Sequence, residues 1–216
     1  MAKCEKHLAR KSETAIKSNT GLTFLPRSRE ITLIAVFTAL AIALHMSPLK
    51  FPAPYAPFLI YELWEIPIVT AFLLYGVRVS ASIAIINFFS LLVFFPGSLQ
   101  AGPIYNLMAI FSMLLGILLA IRIKGLIPKL GNVILTFGLA VVLGILTRVL
   151  IMTLINGVFL AFPAPLGFSM PSDAILISLP LIAFFNGSVA LYTIILARFL
   201  STAVSKATRT PLKHVW

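Results

Sequence analysis

Two carboxylates, Glu62 and Glu65, stand three residues apart in a stretch rich in proline and aromatic residues that runs from Pro48 to Pro67, with Lys50 ahead of them. Aromatic faces beside carboxylates suit a flat solute with polar edges. A second set is dispersed: Asn87, Asn106, Asn156 and Asn186 fall one on each of the last four apolar segments. An amide in lipid is unfavourable unless paired, and an interhelical pair is worth about 0.6–2 kcal/mol. One such asparagine alone reads as glue between helices. Four of them, converging from the outer half toward Glu62 and Glu65, read as a polar pocket offering donors and acceptors to a small solute.

Catalytic chemistry finds less to work with. No Gly-Lys dipeptide occurs, so a phosphate-binding loop of the Gly-x-x-x-x-Gly-Lys type is excluded. His45 is the only histidine near the apolar segments, and it reads as interfacial rather than as part of a nucleophile–histidine–acid set. Cys4, His7, His45 and His214 lie too far apart in sequence to suggest a metal site. The single cysteine excludes an intrachain disulfide and points to a reduced compartment. The expectation is a non-enzyme that holds no metal and no cofactor.

The elements that must position these groups are membrane helices. Of 216 residues, 60% are hydrophobic and 11% charged, against roughly 45–50% apolar in soluble domains. The mean hydropathy is +1.05. Residues 1–30 form a basic cytoplasmic tail, too polar for a signal peptide, with affinity for anionic lipid. Residues 31–200 hold a membrane domain and 201–216 a second basic tail. Ile31–Leu49 is the first span, carrying Ala35, Ala39 and Ala43 in a smooth stripe that another helix can approach closely, whether from this chain or from a partner. Pro48, Pro52, Pro54 and Pro57 then force an extended or turning path. An irregular backbone at a membrane face must be wet or covered by protein, so this stretch reads either as a lid or as an interfacial anchor.

A second helix is expected from about Tyr61 to Arg78, which must hold both carboxylates in its outer turn, where the helix dipole favours them, or enter at a tilt. The 43 uncharged residues between Arg78 and Arg122 suit two spans, broken at Pro96-Gly97. A fifth span begins near Gly131 and holds the small pair Ala140 and Gly144. Arg148 lies well inside it; a buried arginine costs about 2.5–3.5 kcal/mol on insertion scales, so it must face protein, a cavity or a carboxylate. Asp173 opens the sixth, which Pro180 is expected to kink. With six spans, fifteen Lys and Arg fall inside and one, Lys50, outside, Arg148 being within a span. That asymmetry places both termini in the cytoplasm. The basic residues gather at segment ends rather than on one face, which argues for a lipid bilayer and against nucleic acid. The fold class is thus an all-α integral membrane protein of six transmembrane helices.

Five stretches resemble the substrate-binding S components of energy-coupling factor (ECF) vitamin transporters, the riboflavin-binding type above all. They are Ala35-x-x-x-Ala39; Lys50-Phe-Pro-x-Pro through Glu62-Leu-Trp-Glu-Ile-Pro67; Gly102-Pro-Ile-Tyr-Asn106; Met152-Thr-Leu-Ile-Asn156; and Phe184-Phe-Asn186-Gly187. The resemblance implies a multi-pass protein of the cell membrane that captures a vitamin from the outer side. Its partners would be a transmembrane T component, docked on Ala35, Ala39 and Ala43, and two ATPase subunits. The loop from Leu59 to Glu65, with Tyr61, Glu62 and Trp64, would meet the flavin, and Asn156 and Asn186 would bind its polar edge or ribityl chain. The chain departs from the riboflavin type at Ile86 and Val189, where that type tends to carry lysines. S components for other vitamins therefore stay open, as does a membrane scaffold that carries no solute.

Overall fold

The structure is a computed structural model and describes residues 27–94, 102–126, 132–164 and 166–208. It contains six helices among those residues: α1 (Arg27–Met46), α2 (Glu65–Tyr75), α3 (Val77–Phe94), α4 (Gly102–Leu126), α5 (Val133–Phe159) and α6 (Ser172–Thr208). A small antiparallel hairpin, β1 (Phe51–Ala53) and β2 (Ala56–Tyr61), stands between α1 and α2. Residues 1–33 and 34–216 form separate compact units. Of the first, only the opening turns of α1 are described; the second holds the remainder of α1 and every other element.

Five of the helices are long and apolar enough to cross a membrane, and α2 is not. At 11 residues α2 is about 16 Å long, roughly half the hydrocarbon thickness. All of its residues are buried, so it is the central post of the unit rather than a lipid-facing span. Pro67 is tolerated because it lies in the first turn, where an amide donor has no helical acceptor. The helix stops at Gly76, whose φ of 91° is a conformation only glycine adopts freely. Its N–H still bonds back to Phe72 O at 2.9 Å, and α3 starts at the next residue.

Boundaries differ from the expectation for identifiable reasons. The first helix covers Arg27–Met46 rather than 31–49, since Pro48 bars α-helix at the residue before it. The second begins at Glu65, not Tyr61, because residues 56–61 pair with β1 instead. The last helix runs on to Thr208, so the basic C-terminal segment set at 201 is helical for about two turns. The expected break at Pro96-Gly97 and the start near Gly131 lie outside the described residues. Pro180 is accommodated inside α6.

Packing between α4 and α5 is backbone to backbone. A Cβ on Gly116 would lie 2.3 Å from Leu143 O and 2.7 Å from Gly144 Cα, so only hydrogen fits. Gly144 in turn seats Ile194 of α6, whose Cδ1 would be 2.6 Å from an added Cβ. Gly144, one of the small pair expected in the fifth span, thus sits at the α4–α5–α6 contact, as lipid-embedded helices require where no hydrophobic effect draws them together.

Candidate functional site

At the base of the hairpin, Glu62 follows β2 directly and faces two basic side chains, Lys50 and His45. Lys50 Nζ is 2.8 Å from Oε1. His45 Nδ1 is 3.1 Å from Oε2, within ion-pair range when protonated but outside hydrogen-bond geometry. Burial alone would raise the Glu62 carboxyl, yet contact with His45 and Lys50 outweighs it and holds the group below the usual carboxylate range. The main-chain carbonyl of Glu62 accepts from Tyr192 OH at 2.6 Å, and so the residue ties α1, the hairpin and α6 together.

The hairpin lies on α6 through aromatic contacts. The Tyr55 ring meets Phe184 edge-on with centroids 5.4 Å apart, and Tyr61 packs on Phe185 at 4.8 Å. A hydroxyl relay joins Tyr55 to Tyr61 at 2.7 Å and Tyr61 to Ser188 at 2.8 Å. Loss of hydration, with the neighbouring Tyr61 hydroxyl second, pushes the Tyr55 phenol up to about 12. Leu59 packs into an apolar cluster of Leu160, Ile175 and Ile182. The proline-rich stretch therefore forms a strap that covers the end of α5 and the first half of α6.

Beneath it is a buried ion pair. Arg148 and Glu65 are 3% and 4% exposed. Arg148 grips both carboxylate oxygens, with Nη1 on Oε2 and Nη2 on Oε1 at 2.8 Å. Its Nε–H donates to Asn186 Oδ1 at 3.1 Å, while Asn186 Nδ2 donates to Ile182 O at 2.9 Å. Met113 Sδ completes the shell at 3.8 Å from Nη1. A lone guanidinium or carboxylate at this depth would be prohibitive, and the bidentate geometry satisfies both. The sequence required a partner for Arg148 but did not point to Glu65, which lies 83 residues away.

The expected site residues thus separate into groups. Glu65 and Asn186 meet through Arg148. Trp64, Asn87 and Asn106 line a second feature, a narrow seam between α3 and α4 that also takes in Phe88. Tyr61 and Leu59 belong to the strap, and Glu62 to its base. Asn156 Nδ2 donates to Met152 O at 2.7 Å within its own helix. His45, Lys50, Tyr55, Arg148, Ser188 and Tyr192 are polar contributors left out of the expected site. Arg148 carried a signal, as a charge in the middle of an apolar segment, and so did Lys50, as the cation ahead of the two carboxylates. The stripe residues Ala35, Ala39 and Ala43 are all exposed, whereas Thr38 and Ala41 of the same helix are buried against the unit.

Helix lengths, apolar surfaces and the buried charge network define a multi-pass membrane protein closed at one end by a strap. No family model matches the chain, and no curated protein matches it in sequence. Among solved structures, the chain is similar to one described as the S component of a bacterial ECF transporter. The TM-score is 0.66 at 18% identity, over 85% of this chain and 99% of that one. At that identity the likeness is one of fold, and it extends over essentially the whole of the neighbour.

Proposed function

We propose that the chain is the substrate-capture subunit, or S component, of an ECF-type importer in the cell membrane, and that it takes up riboflavin from the outer side. The fold likeness to a solved S component, spanning 99% of that chain, carries the reading. In this reading both termini are cytoplasmic, the short buried α2 completing the sixth crossing from within the bundle although five helices alone are long enough to span, with the strap facing out as the lid. The lid residues Leu59, Tyr61 and Trp64 supply apolar and aromatic contact. Asn87, Asn106 and Asn156 supply polar contact, and the Glu65–Arg148–Asn186 set holds the frame under the ligand. Energy comes from outside: a T component docks on the exposed Ala35, Ala39 and Ala43 face, and two ATPase subunits drive it.

Titration of purified protein with riboflavin tests the reading, since flavin fluorescence falls when the ring is enclosed by aromatic side chains. Saturable 1:1 quenching is expected. Absence of quenching, with a different vitamin released on denaturation and identified by mass spectrometry, would refute riboflavin and keep the capture role. Absence of any bound or binding solute would refute capture.

A further inference from the structure

The seam between α3 and α4 carries an unmet chemical demand. Asn87 is 2% exposed, and its Oδ1 has no hydrogen-bond donor among the described residues. At that exposure it is not a surface amide turned toward solvent. A buried acceptor left without a donor costs about 1–3 kcal/mol, whereas the oxygen of the buried amide Asn186 receives a donor from Arg148. The flanking groups are informative. Trp64, buried at 4% exposure, and Phe88 provide flat apolar walls, and Asn106 of α4 brings a second amide into the same seam. An amide pairs in two-point fashion with a group that offers a donor next to an acceptor.

Building on the reading of this chain as a solute-capture subunit, we infer that the α3–α4 seam is the subsite for the lactam or imide edge of a planar heterocyclic ring, with Asn87 Oδ1 accepting the ring N–H. The seam is closed in the absence of solute and parts to admit the ring edge between Trp64 and Phe88. Entry of the ring supplies the missing donor, and the gain of that hydrogen bond favours the open form.

The test compares riboflavin, 3-methylriboflavin and pterin on the full chain and on its Asn87→Leu and Asn87→Ser variants. Methylation removes the imide N–H and leaves the remaining ring and chain intact. The wild-type chain is expected to bind riboflavin about tenfold to a hundredfold more tightly than the methylated analogue. The Asn87 variants should bind the two flavins equally. Their melting temperature without solute should not fall, because Oδ1 has no partner to lose; this readout separates the proposal from a structural role for the amide. Discrimination preserved in a folded Asn87 variant would overturn the proposal while leaving riboflavin capture intact. Indifference to both flavins, with Asn87-dependent binding of pterin, would refute riboflavin and keep the lactam subsite. Failure to bind any of the three would overturn the subsite.

Discussion

Replacing Arg148 by methionine should be the most damaging single change in the membrane domain. The substitution preserves an unbranched apolar stem but leaves Glu65, 4% exposed, with neither of its two guanidinium contacts. Breaking a buried pair by removing one partner costs about 3–5 kcal/mol, because the other charge stays uncompensated. Asn186 Oδ1 also loses its donor at 3.1 Å, adding about 0.5–1.5 kcal/mol. For a chain of this size each kcal/mol corresponds to about 2–4 °C in melting temperature, so thermal unfolding in detergent should fall by about 7–25 °C. The double variant Glu65→Leu/Arg148→Met removes both charges together, and apolar replacement of a buried pair is often neutral or stabilising. It should recover most of the loss, the remainder reflecting Asn186. The two variants therefore have opposite signatures, readable in one series of melts. An Arg148→Met protein as stable as the wild type would refute the ion-pair reasoning. A double variant no better than the single would show that the cost lies in packing rather than in the orphaned carboxylate.

Acid should loosen the strap. The Glu62 carboxyl is held below its ordinary value, so its stabilising contribution is present at neutral pH and lost as pH falls through that lowered value; Glu62→Gln should flatten the acid limb of a melting-temperature profile, and an unchanged limb would assign it to another group. Gly116→Ala should cost about 1–3 kcal/mol or more by overpacking, because the clash is with the Leu143 carbonyl and the Gly144 backbone, which cannot rotate away; a chemical denaturation midpoint equal to the wild type would contradict the close α4–α5 approach. Ala39→Trp adds bulk to an exposed face and should abolish uptake in cells while leaving solute binding by purified protein intact; loss of both would make the stripe a packing face. Single-cysteine labelling of intact cells should reach Gln100→Cys from outside and not Leu126→Cys, and the reverse pattern would invert the topology.

Membrane character was legible in the chain because hydropathy is a local, additive quantity. Nineteen uncharged residues after Glu30, or 43 between Arg78 and Arg122, dictate helices whatever they pack against. The small residues Gly144 and Ala140 likewise announced a close helix contact, and Arg148 announced that it needed a partner. The partner's identity was another matter. Glu62 and Glu65 look equivalent in sequence, each an acidic residue near a helix start. The fold gives Glu65 to Arg148 and Glu62 to His45 and Lys50, because α2 is displaced four residues downstream by the hairpin. The hairpin itself was masked by its prolines, which veto helix but permit an edge strand. The four asparagines were alike in one dimension and differ in three: one is capped by its own helix, one is locked by Arg148, and two face a shared seam. Hydrogen-bond satisfaction depends on neighbours brought from distant positions in the chain, which is why residue type announced the polar groups and only the tertiary structure decided which of them are already paired.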